Sequence, residues 1–151
     1  MATLVAYYSR TGTTEKVAQA IARQLNAKIE RIEDVKGRSG FIGWLRSGKE
    51  GMKKTVVKIK PVKEDPSKYG LVVVGTPVWS GALSSPVRAY LMQNKFKRVA
   101  FFCTAGSNDN HVFPDIEAIV GRPVATMQIG KKERKAGSTE KKIEAFVKSL
   151  R

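Results

Sequence analysis

The chain has almost none of the residues that build a metal centre or a cross-linked fold. Its 151 residues include one cysteine, Cys103, and one histidine, His111. A lone cysteine forms no internal disulfide, and without partner cysteines at metal-site spacing, structural zinc and iron–sulfur clusters are excluded. His111 lies in a polar stretch, where an isolated histidine reads as a solvated side chain rather than a metal ligand. Long apolar runs are also missing, since stretches such as LVVV at 71–74 are far too short to cross a bilayer. The segment MATLVAYYSR carries no basic region ahead of its apolar residues and no small-residue cleavage signal, so a cytoplasmic location is expected. Acidic residues are scarce: 13 Asp and Glu stand against 28 Lys and Arg, a net charge of +15. The excess is uneven, with eleven basic against five acidic residues in 31–68 and eight against three in 131–151. Such a charge predicts attraction to something anionic as well as solubility.

What is present is globular. Hydrophobic residues make up 42% and charged residues 27%, which excludes disordered and fibrous classes. The length matches one domain, expected to cover 1–151. Five strand-length apolar runs alternate with helical stripes: TLVAYY (3–8), KIERI (28–32), LVVVG (71–75), VAFFCT (99–104) and VATMQI (124–129). That alternation is the pattern of a parallel sheet covered by helices on both faces. The first, third and fourth runs are nearly all apolar, as strands buried on both faces must be, whereas the second and fifth carry polar residues and read as edges. The expected fold is therefore α/β, three-layer and doubly wound, with a five-stranded parallel sheet in the order 2-1-3-4-5.

Helices are expected after the first strand, from the stripe Val17, Ala18, Ile21, Ala22 and Leu25, and at the end, from Ile143, Phe146, Val147 and Leu150. Ser84-Ser85-Pro86 reads as a serine cap with proline at the first helical position, starting a helix through Val87, Tyr90 and Leu91. A shorter helix is expected after Phe113-Pro114, and an interrupted one over 37–54, where glycines mix with Phe41, Ile42, Trp44, Leu45 and Met52.

In an open parallel sheet, ligands bind where loops leave the carboxyl ends of the strands, close to the point where strand order reverses. With this order the converging loops are SRTGTT (9–14), TPVWSGALS (76–84) and TAGSNDN (104–110). The first sets the hydroxyls of Ser9, Thr11, Thr13 and Thr14 around Gly12, directly before a helix. Free amides and the positive end of the helix dipole suit a dianionic phosphate there, and Gly12 lets the backbone approach its oxygens. Taken alone, the cluster is also a hydroxyl-rich helix cap. Neither GxxxxGK(S/T) nor GxGxxG occurs, which excludes a nucleotide triphosphate loop and a dinucleotide fingerprint. A receiver domain needs acidic residues after the first strand and an aspartate after the third, where this chain has Ser-Arg-Thr and Gly-Thr. A small tyrosine phosphatase needs a cysteine in the first loop.

The loop SRTGTT resembles the flavodoxin phosphate loop, (S/T)-x-T-G-x-T, and TPVWSG resembles the aromatic loop that follows the third strand in that family. With VAFFCTAGS, the resemblance extends over the whole chain and is to the short-chain type. It implies a flavoprotein holding one flavin mononucleotide (FMN) non-covalently. Ser9, Arg10, Thr11, Gly12, Thr13 and Thr14 would hold the phosphate. Thr76, Pro77, Val78, Trp79, Ser80 and Gly81, with Thr104, Ala105, Gly106, Ser107 and Asp109, would flank the isoalloxazine. Trp79 is expected to lay its indole on the ring; packing beneath the loop is the other reading. Two features depart from the family: TAGSNDN has no aromatic residue for the outer ring face, and the chain is basic. Phe113, Trp44, a partner or a quinone substrate would then face the outer side.

The resemblance implies an electron carrier between redox partner proteins, which the basic charge matches to acidic docking surfaces. An NAD(P)H-dependent quinone or flavin reductase of the same fold is the alternative, and fold alone does not choose between them. A basic nucleic-acid-binding module is a third class, but no motif for specific recognition is present and aromatics are not interleaved with the basic runs.

Overall fold

A computed structural model describes residues 2–35, 57–105 and 111–151 of the chain. Five strands run parallel: β1 (Thr3–Tyr7), β2 (Lys28–Arg31), β3 (Leu71–Trp79), β5 (Val99–Thr104) and β6 (Thr126–Ile129). Their order, β2-β1-β3-β5-β6, is the expected one. The short β4 (Ala82–Leu83) stands outside it, folding back antiparallel on the end of β3. The polar second and fifth strands of the parallel set are the edges.

Alternation along the strands sorts the core into two layers. Leu4, Ala6, Val72, Val74, Phe101 and Cys103 face one side, where helices α2 (Ser85–Gln93) and α3 (Val112–Val120) bring Val87, Tyr90, Leu91 and Ile116. Val5, Tyr7, Val73, Ala100, Phe102 and Met127 face the other. There α1 (Thr13–Leu25) and α5 (Thr139–Ser149) bring Val17, Ile21, Ile143, Phe146 and Val147. Both stripes expected from the 3.6-residue period lie against the sheet. Each fully buried aliphatic side chain contributes about 1.5–3 kcal/mol to holding these layers.

Four details differ from the sequence expectation. β3 continues past Gly75 to Trp79, because Val78 pairs with Leu83 and Trp79 with Ala82 in a hairpin closed by Ser80-Gly81. Both turn residues have positive φ, 51° and 80°, as a two-residue hairpin turn requires. β6 begins at Thr126 rather than 124. Ser84 does stand at the N-cap of α2 with Pro86 in the first turn, but its hydroxyl makes no capping bond and turns toward Thr76 instead. The six-residue α4 (Lys131–Ala136) has no apolar stripe to announce it; Glu133 accepts the Gly130 amide at 2.9 Å, and Gly137 ends it at φ 70°. The helix expected over 37–54 lies outside the described residues. Among the described residues, no helix is long and apolar enough to cross a membrane.

Candidate functional site

Strand register brings three chain exits to one edge of the sheet. Tyr7 lies beside Gly75, and Pro77 beside Thr104, so the segments after β1, β3 and β5 leave together.

After β1 the backbone turns through residues 9–12. Ser9, 3% exposed, accepts the Gly12 amide on its hydroxyl at 2.9 Å, closing the turn on itself. Gly12 has φ +99°, a left-handed conformation that disfavours any side chain, and a β-carbon placed there would have nothing within 4 Å. The space before the loop is therefore open. The first bond of α1 runs from the Lys16 amide to the Gly12 carbonyl at 3.1 Å, and the amides ahead of it have no acceptor within the helix. Thr11 is exposed, Arg10, Gly12 and Thr13 are half-buried, and Thr14 is buried. From behind, the Arg31 guanidinium donates to the Ser9 carbonyl at 3.3 Å and pairs with Glu15 at 3.2 Å. The Tyr7 hydroxyl donates to Glu15 at 3.0 Å, and burial together with that carboxylate holds it above the ordinary phenol range, so it remains a donor.

After Gly75 the chain is held by its own Thr76 side chain and by contacts from Tyr8 and His111. The fully buried Thr76 hydroxyl accepts the Ser84 amide at 3.0 Å and lies 3.0 Å from the Ser84 hydroxyl and 2.8 Å from the Pro77 carbonyl. Pro77 and Val78 are half-buried. Trp79 is the last residue of β3 rather than a loop residue. Its indole is 6% exposed and meets Tyr8 edge-on, centroids 5.6 Å apart at 89°. Ser80 is exposed, and the Gly81 carbonyl accepts the His111 amide at 2.8 Å.

After β5, the buried Thr104 hydroxyl bonds that of Thr14 at 2.8 Å, tying the first and third segments together. The Ala105 amide donates to the Ile129 carbonyl at 3.0 Å. Gly106, Ser107 and Asp109 lie outside the described residues. Cys103, just below, has its thiol pushed up to about 12 by burial and is no nucleophile. No cluster of three metal-ligating side chains occurs among the described residues.

The sequence points to the three segments, Ser84 among them as a helix cap, but assigns no role to Tyr8, Arg31 and His111, which hold them. Only a two-residue Ser-Gly between VW and AL signalled the hairpin beforehand. The other contacts are long-range and leave no local mark.

The three segments leave the sheet at the reversal point of its strand order, the place where open, doubly wound α/β proteins bind their ligands. The flavodoxin family profile matches residues 2–149, and the chain belongs to that family. Among solved structures it is similar to a flavoprotein in complex with FMN from Lactobacillus acidophilus NCFM, at 21% identity and TM-score 0.70, over 89% of this chain and 97% of that one. It is also similar to a protein of Bacteroides eggerthii DSM 20697 assigned as a flavoprotein, at 22% and 0.77 over 97% and 96%. The two-electron-reduced flavodoxin of Megasphaera elsdenii matches at 17% and 0.58 over 97% and 98%. At these identities the likeness is one of fold. No curated protein sequence matches the chain.

Proposed function

We propose that the chain holds one FMN non-covalently across the three segments and carries electrons between redox partner proteins. The observation that carries this reading is the loop before α1: a left-handed Gly12 facing open space, ahead of amides without helical acceptors, is a cradle for a phosphate dianion. Family membership and the FMN complex of the Lactobacillus relative support it. Ser9 through Thr14 hold the phosphate, and Thr76–Gly81 with residues 104–109 border the isoalloxazine. With its indole packed on Tyr8, Trp79 forms the floor beneath the turn, so its contribution is a wall and a backbone path. FMN supplies a ring that takes up and returns electrons; the chain binds it, orients it and limits its contact with water. The net charge of +15 suits acidic partners, whose encounter it accelerates.

The visible spectrum of the purified protein and an FMN titration test this reading. Thr11→Val is expected to weaken FMN binding by about 1.5–3 kcal/mol, the range for a hydrogen bond to a charged group, and riboflavin should bind far more weakly than FMN. Equal affinity for the two would remove the phosphate site. Steady NADH or NADPH oxidation by the loaded protein alone would replace the carrier with a reductase.

A further inference from the structure

The only histidine in the chain stands against the hairpin turn assigned above to the flavin ring. The His111 amide donates to the Gly81 carbonyl at 2.8 Å. Its ring covers the α-carbon of that glycine: a β-carbon on Gly81 would lie 3.3 Å from His111 Cε1 and 3.4 Å from Nδ1. Gly81 is thus needed for its φ of +80° and for the room it leaves the imidazole.

The opposite ring nitrogen, Nε2, lies 3.6 Å from an Asp115 carboxylate oxygen one helical turn on. That oxygen is also 3.6 Å from Nη2 of Arg88, which enters from α2 with its side chain 9% exposed. Among the described residues, Asp115 and Arg88 are the charged groups facing the ring from α3 and α2, and Ser80-Gly81 carry no charge. The imidazole is 52% exposed, so water reaches the ring. A carboxylate within reach of one nitrogen and solvent at the ring make a group whose charge can follow a change of charge across the turn.

We propose that His111 is a positioning and proton-coupling residue: it fixes the Ser80–Gly81 turn from α3 and takes a proton from solvent as an electron is added at the flavin site. This rests on the FMN reading above. The electron comes from the redox partner and the proton from water; no bond within the chain is made or broken. The added negative charge is offset in part by a larger imidazolium fraction, stabilised by Asp115 at Nε2. Coupling of this kind is reciprocal, so reduction must raise the proton affinity of the ring. For a unit charge about 8 Å away in water-like surroundings, the increase is roughly two- to threefold.

Because the chain has one histidine, its ring resonance is unambiguous by NMR. Titrating it in FMN-loaded oxidised protein and in fully reduced protein is expected to give a midpoint higher in the reduced state by about 0.3–0.5 pH unit. In Asp115→Asn the midpoint should fall in the flavin-free protein as well, a readout that needs no cofactor. His111→Gln, which keeps the backbone amide and a polar side chain, should retain FMN but take up fewer protons on reduction. A loaded protein whose midpoint ignores reduction overturns this inference alone. A chain that takes up no FMN overturns the function proposed above and this inference with it.

Discussion

The two ends of the candidate site are built in different ways. The loop before α1 is built mostly from its own residues: Ser9 closes on Gly12, Gly12 starts the helix, and two contacts reach other strands, Thr14 to Thr104 and Arg31 to the Ser9 carbonyl. The hairpin after β3 adds to its own pairing and its Ser84–Thr76 bond two contacts from elsewhere, Tyr8 on Trp79 and His111 on Gly81. A phosphate needs a fixed set of amides, which six consecutive residues can supply. Under the function proposed above, the turn beside the flavin is the part connected to the rest of the molecule. Its conformation is then set by two helices and a neighbouring strand as well as by its own residues.

Substitutions at matching positions break or sharpen this contrast. The largest effect is expected at Gly75, within β3 below the hairpin, where a β-carbon would lie 2.1 Å from Cζ of the buried Phe102. Gly75→Ala should cost about 3 kcal/mol through overpacking, read from urea denaturation; a cost under half of that would mean that Phe102 can step aside. Next, Thr76→Val removes the acceptor of the buried Ser84 amide and should cost about 2 kcal/mol, while leaving the secondary structure seen by circular dichroism intact. Gly12→Ala meets no neighbouring atom and pays only for its left-handed backbone, about 1 kcal/mol. A thermal-melt loss matching that of Gly75→Ala would show hidden packing at the loop. The smallest effect belongs to α4, the extreme of local construction, which buries no residue. The hydrogen bond from Lys142 holds Glu133 below the ordinary carboxylate range. A lowered folded-state value means that its contribution is present above about pH 4.3 and disappears as the pH falls further. Glu133→Gln should therefore cost about 0.5 kcal/mol near neutrality and progressively less as the pH falls below the ordinary carboxylate range, measured by comparing melting curves across that range.

The same contrast governs how much could be read from the sequence. The strand order followed from composition, since KIER and TMQI carry the polar residues that edge strands tolerate and LVVV and VAFF do not. The phosphate-type loop was legible because its parts are adjacent. Trp79 misled because its neighbours Ser80 and Gly81 suggested an open loop, whereas hairpin pairing with Ala82 carries the indole back into the core. Ser84 carries a strong cap signature, yet the buried Thr76 hydroxyl takes its side chain, and no local pattern reports a partner eight residues away. His111 read as solvated, and its ring is indeed half in water. Its place against Gly81 depends on where α3 docks, which one sequence does not encode locally.

The central position of β1 has a consequence for how the molecule is made. Leu4 lies beside Lys28 on one side and Val72 on the other. Of the described strands β1 is synthesised first and can pair with β2 early, but its second partner does not yet exist. At about 5–20 residues per second, Val72 is synthesised roughly 3–14 s after Leu4. Throughout that interval the nascent chain exposes one unpaired apolar strand edge, the kind of edge that invites association with other chains. Pairing with β3 seals it, so translation speed through residues 32–70 sets how long that edge of β1 stays open.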